Sequence, residues 1–171
     1  MNDEDSGTGI GRSLPRLEDR RFLLGRGGFL DNLEFPAVAH AVLLRSPHGH
    51  ADILDLDLGA ARQSPGVLLV AGGAELATEG LAGIDCLMVP PDCEGRRTFI
   101  PAHPLLQTER VRFVGDRVAL VVAETRDQAR DAAELIGVDY RPRPALVSPG
   151  QARAAGAALL WDEAPDNVCF R

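Results

Sequence analysis

The sequence predicts an α+β fold: a mixed α/β chain with a mixed, largely antiparallel sheet and one main packed helix. Three observations predict it. Short strand-like runs dominate, and ILDLDL alternates by twos, with Leu54, Leu56 and Leu58 on one side and Asp55 and Asp57 on the other. Only one stretch, TRDQARDAAELIG, carries a clear helical period. Strands and helices also fail to alternate regularly, as a doubly wound parallel sheet would require.

Each element follows in order. Met1 to Leu14 is polar, glycine-rich and aperiodic, so a flexible N-terminal tail (1–14) is expected before one domain (15–171). PRLEDRRFLLGRGGFLD ends in Gly25, Gly27 and Gly28 and reads as a loop feeding the first strand. AVAHAVLLRS, Ala37 to Ser46, is apolar on both alternating faces, the pattern of a strand covered on both sides. Pro47 and Gly49 end it. ILDLDL is a half-exposed strand, GAARQS allows one helical turn before Pro65-Gly66, and VLLVA, Val67 to Ala71, reads as a buried strand. From Gly72 to Thr108 no period survives, and Pro90, Pro91, Pro101 and Pro104 interrupt any element. A long surface excursion that contacts a partner is expected there.

VRFVGDRVALVVAE reads as a hairpin, Val111 to Val114 and Arg117 to Glu124, turning at Gly115-Asp116. The helix after it has Thr125 and Gln128 at capping-box spacing. Its apolar stripe is Ala129, Ala132, Ala133 and Ile136, closed by Gly137, and the small residues imply close helix-on-sheet packing. VDYRPRPALV is an edge strand because Pro142 and Pro144 cannot donate to a ladder. SPGQARAAGAALL supplies a last short helix or turn.

Composition narrows function. The 171 residues are 45% apolar and 25% charged, enough to fold as a globular domain. The 18 basic residues are all arginine, and against 25 acidic ones they leave a net charge of -7, which argues against a nucleic-acid binder. Three cysteines (Cys86, Cys93, Cys169) and the polar start MNDEDSGTG predict a reduced, cytoplasmic protein. No run reaches the ~20 apolar residues that span a bilayer, so no membrane partner is expected.

Candidate sites divide by context. GRGG at Gly25 to Gly28 precedes a strand and lacks full glycine spacing, unlike a phosphate loop. Cys86 and Cys93 lie too far apart for a zinc pair, even with His103 beyond them. His48-x-His50, with Asp52 or Asp55 near in sequence, offers two imidazoles, half of a closed tetrahedral site, and Pro47 and Gly49 predict a bend that points the rings apart. Their expected role is bonding backbone groups at that bend. No serine, histidine and acid set suggests catalysis, and Glu18, Asp19, Asp55 and Asp57 read as a solvated face.

Taken together, RLEDRRFLLGRGGFLDN, HAVLLRSPHGHADILDLD, PGVLLVAGGAEL, VRFVGDRVALVVAETRDQARDAAELIGVDYRPRPALV and PDNVCF resemble, in order, the α/β hammerhead domain of the large subunit in the xanthine dehydrogenase and aldehyde oxidase family, carbon monoxide dehydrogenase included. The resemblance covers about Pro15 to Phe170. It implies an oxidoreductase assembly in which this chain is scaffold or interface, with Arg45, His48, His50, Gly115, Asp116 and Glu124 as the candidate scaffold or interface residues and none catalytic, cofactor-binding or metal-ligating. Molybdopterin, iron-sulfur clusters and FAD are then expected in partner domains or subunits: a molybdenum-binding large-subunit chain, with iron-sulfur and flavin subunits. The family usually carries Glu-Pro after the turn glycine; here Asp116-Arg117 follows Gly115. The sequence runs to Arg171, where in that family PDNV leads into the molybdopterin-binding part, so a split or excised subunit is one expectation. The other is a free-standing binding or regulatory module descended from that domain.

Overall fold

The computed structural model describes residues 11, 16–30, 33, 35–81, 83–89, 91–93, 95 and 97–171. Apart from Gly11, the expected tail at Met1 to Leu14 lies outside them, as does Pro90. Residues 1–37 and 38–171 form two compact units. In the first, α1 (Asp19–Leu23) is a short helix. Phe22 stacks on Phe29 at 5.4 Å between ring centroids, and Arg21 lies over the Phe22 ring while bonding Glu18.

The second unit holds two three-stranded antiparallel sheets. In sheet A, β5 (Arg117–Ala123) runs between β1 (His40–Arg45) and β3 (Val67–Gly72). In sheet B, β2 (Ala51–Asp57) runs between β4 (Arg110–Val111) and β6 (Gly137–Pro142). Short helices α2 (Gly59–Arg62), α3 (Gly73–Thr78) and α5 (Pro149–Ala152) and the main helix α4 (Arg126–Glu134) complete it. The α+β class is thus as the sequence predicts, and β6 is an edge strand as its prolines require.

Helix α4 begins at the predicted capping box. Gln128 N donates to Thr125 Oγ1 and Thr125 N to Gln128 Oε1, an arrangement that contributes about 1 kcal/mol. Ala129, Ala132, Ala133 and Ile136 are buried against Ala119, Val121 and Ala123 of β5, with Leu58, Ala61 and Val70. Small side chains let the helix axis approach the sheet closely, so this core is made of many thin contacts. A second, smaller core of Ala51, Val111 and Val118 joins the two sheets.

Four local expectations are corrected. The 111–124 stretch is no hairpin: β4 pairs with β2 and β5 pairs with β1 and β3. The turn itself forms, with Asp116 N donating to Phe113 O at 3.2 Å and Gly115 at φ +88°, the third position of a type II turn. That turn type splays its flanking segments, and here it carries the chain from sheet B to sheet A. Strand β2 does not alternate cleanly, because Ile53 pairs with Tyr140 and Asp55 with Asp139, leaving Leu54 as an unpaired bulge that is exposed. The bulge inverts the parity: Ala51 and Ile53 face the core before it, Leu56 after it. Strands β1 and β3 are only partly covered: Val42, Leu44 and Val67 are half-buried against the α4 core, and β3 is buried only over its last three residues, Val70 to Gly72; Leu68 is bulged out of β3 in the same manner. Finally, Gly73–Thr78 is helical where no period was visible, its first turn fixed by Gly72 N donating to Glu75 Oε2.

Candidate interface site

The bend after β1 gathers most of the sequence-predicted residues. Ser46 N donates to Asp116 O and Gly115 N to Ser46 O, both at 2.8 Å, so the 113–116 turn is clamped to the end of β1. Arg45 Nη1 adds a 2.8 Å bond to Gly115 O. Asp116 is 1% exposed, and its carboxylate accepts from Gln107 Nε2 (3.1 Å), Arg112 N (3.0 Å) and Arg117 N (3.1 Å). Arg45, Gly115 and Asp116 therefore form one connected unit.

The two histidines do part. The His48 ring packs edge-on to Tyr140 at 4.8 Å, and its backbone N bonds Ser46 Oγ. His50 is buried, and its Nδ1 lies 2.9 Å from Pro144 O, which requires the proton on that nitrogen; Nε2 is buried with no hydrogen-bond partner. Burial pushes the Tyr140 hydroxyl up, opposed by its bond with Ser46 and aided by nearby Asp116. Glu124 stands apart at the far end of β5, exposed, with its backbone N on Gly66 O.

Sheet B contains a charged group that contiguous sequence hid. Register places Asp52 of β2 directly opposite Arg110 of β4 on one side and Arg141 of β6 on the other. Arg110 Nε donates to Asp52 Oδ1 at 2.9 Å, and Arg141 Nε and Nη2 donate to Oδ2 at 3.1 and 2.8 Å. Arg143 Nε comes within 2.7 Å of Oδ1 with its N–H not aligned on the oxygen, so this contact is an ion pair rather than a formed hydrogen bond. Arg143, then Arg141 and Arg110, hold the Asp52 carboxyl far below the usual carboxylate range against its burial. Arg110 is held up by the same contact. Nearby Arg112 is drawn down, first by its own burial and then by Arg110. Its guanidinium covers the Trp161 ring at 5.1 Å and bonds Leu160 O. The signal that could have found this group was the R-P-R of β6 read against an acid in the neighbouring strand, which needs the register first.

Among the described residues no three His, Cys, Asp or Glu side chains converge as a metal donor set. Cys86 and Cys93 are exposed and Cys169 is half-buried. These residues do not fit an iron-sulfur cluster or a molybdenum ion.

Two antiparallel sheets bridged by a turn, a helix of small residues on one sheet, and polar groups spent on internal bonds define an α+β domain of two packed sheets. The family model described as aldehyde oxidase and xanthine dehydrogenase, a/b hammerhead domain, matches residues 24–144, and the chain belongs to that family. It is 38% identical over 162 residues to the nicotine 6-hydroxylase large subunit of Paenarthrobacter nicotinovorans, covering 95% of this chain and 19% of that protein. Against the carbon monoxide dehydrogenase large chain of Afipia carboxidovorans it is 35% identical, over 94% of this chain and 18% of that protein. The crystal structure of quinoline 2-oxidoreductase from Pseudomonas putida 86 superposes with a TM-score of 0.68 and 37% identity, covering 85% of this chain and 18% of that one. The chain thus spans about a fifth of the length of the relatives it matches. No helix among the described residues is long and apolar enough to cross a membrane.

Proposed function

We propose that this hammerhead domain (15–171) is a scaffold and interface element of a cytoplasmic molybdenum-cofactor hydroxylase, non-catalytic alone, and that it docks on a molybdenum-binding large-subunit chain associated with iron-sulfur and flavin subunits. The observation that carries the reading is the excursion after α3. Leu81, Ile84, Leu87, Met88 and Val89 are exposed there, with Leu87 almost wholly in solvent. Within it Ile84 N bonds His103 O and Cys86 Sγ bonds Met88 O. Adjacent large apolar side chains presented to water are the surface expected of a docking element. The candidate residues Arg45, Gly115 and Asp116 hold the turn between the sheets, and His48 and His50 hold the bend beside it; in this reading they keep the docking surface in register.

The test is affinity purification of the tagged chain from its native cells, with co-eluting chains identified by mass and molybdenum measured in the eluate. A stoichiometric molybdenum-containing chain is expected, together with loss of that chain on L87S/M88S. A metal-free protein eluting alone in mild salt would overturn the reading and favour a free-standing binding or regulatory module.

A further inference from the structure

We propose that the face of sheet A turned away from α4 docks one helix of the molybdenum-binding chain through that helix's apolar stripe. The inference rests on the assembly reading above and names the element of the partner that meets this sheet. Side chains alternate across a strand, so every strand of sheet A has two faces. Val42, Leu44, Val67, Val70, Ala119 and Val121 belong to the core under α4. Register sets the opposite face as two rows across the sheet: Ala41, Val122 and Leu69 in one, Leu43, Leu120 and Ala71 in the other. All six are apolar, yet none belongs to either core and only Ala71 is buried. Ala41 is exposed and Leu69 is 51% exposed, with Leu43, Leu120 and Val122 half-buried. A sheet that is apolar on both faces is one that layers cover on both sides.

The patch itself carries no charge, so burial and shape select its occupant. Charges stand only beyond its ends. Glu124 follows Val122 in the same alternation at one end, and the cross-strand pair Arg45 and Arg117 stands at the other. Those arginines are engaged, Arg45 with Gly115 O, and Arg117 with His103 Nε2 at 2.8 Å and Pro104 O at 3.4 Å. His103 O in turn accepts from Ile84 N, so this end of the face borders the apolar excursion. Three strands about 4.8 Å apart and two rows deep give a footprint on the order of 200 Å2. A second copy would need roughly 800 Å2 from each partner, and a net charge of -7 on both copies opposes it. One helix, about 10 Å across, fits that width as α4 does on the opposite face. The chain spans about a fifth of the length of its relatives, and the remainder of such a protein is the source of that helix.

The site is tested on the full chain alone, so its failure is distinct from failure of the assembly reading, which co-purification decides. The 15N-labelled chain is titrated by NMR with a designed helical peptide that carries a leucine stripe and Glu-Lys pairs on its other faces, with a scrambled peptide of the same composition beside it. The amides of Ala41, Leu43, Leu120 and Val122 should shift saturably. Affinity read at Val122 should fall about tenfold in L69D and in A41D, which lie on the two outer strands, and stay unchanged in L87S/M88S. Both aspartate variants replace exposed side chains, and circular dichroism confirms that they are folded. An affinity within twofold of wild type in either folded variant, or equal shifts with the scrambled peptide, would overturn the site. The same amides shifting on dilution without peptide would overturn the partner helix in favour of a second copy.

Discussion

Asp116→Ala is the most informative single perturbation of the scaffold. The wild-type carboxylate is 1% exposed and accepts three hydrogen bonds of 3.0 to 3.1 Å, two from backbone N–H groups and one from Gln107. A hydrogen bond to a charged group contributes roughly 1.5–3 kcal/mol, and buried donors left unpaired add their desolvation cost. Full additivity would give an excessive figure, because water entering the vacated space recovers part of it. A loss of about 3–4 kcal/mol is the expected balance, a large share of the ~5–15 kcal/mol stability of a typical domain. Asp116→Asn keeps one acceptor oxygen but turns an NH2 group toward existing donors, so about half that loss is expected. Urea unfolding followed by fluorescence of Trp161, the chain's single tryptophan, reads both variants, and at a slope of about 2 kcal/mol per molar the alanine variant should shift its midpoint down by about 1.5–2 M. A loss under about 1 kcal/mol for the alanine variant, or an asparagine variant worse than alanine, would refute the reasoning that this carboxylate pins the turn.

Three further outcomes follow from the same geometry. Gly115→Ala should cost roughly 1–2 kcal/mol purely through the backbone, since φ is +88° while an added Cβ meets nothing within 4 Å; an unchanged melting temperature would refute it. Ala132→Leu, at a fully buried position facing sheet A, should destabilise by about 1–3 kcal/mol through overpacking, measured by thermal unfolding. Because the folded Asp52 carboxyl is lowered, its contribution is fully present above the unfolded value near 3.9 and is lost as pH falls below it, so wild-type stability should drop steeply on acidification below about pH 4 and D52N should flatten that drop in urea titrations.

The sequence made legible what depends on neighbours along the chain. The Thr125 capping box, the alanine stripe of α4 and the edge character of β6 are all local, and all are present. What it hid depends on pairing. The alternation of ILDLDL looked regular because a bulge leaves no mark in the order of residues, yet Leu54 drops out of the ladder and inverts everything after it. VRFVGDRV looked like a hairpin because glycine in a turn is visible while the destination of each flanking strand is not. Arg45 lies far from Gly115 and Asp116 in the sequence and folds into one unit with them. Along the chain the basic groups nearest Asp52 are His50 and His48, because its arginine partners lie 58 and 89 residues away.

The two buried aspartates are held by different kinds of partner, and removing those partners has different consequences. Asp116 is held by two backbone N–H groups, whose positions are fixed by the chain itself, and by the Gln107 amide, so removing the carboxylate leaves fixed donors that water re-pairs only in part. Asp52 is held by long side chains, two of them reaching solvent, whose guanidinium groups have donors to spare. The two substitutions therefore differ in size: D116A should cost about 3–4 kcal/mol, whereas R141Q should cost about 1–2 kcal/mol, because Arg141 reaches solvent but the carboxylate it holds does not and keeps Arg110 and Arg143, and urea unfolding measures both.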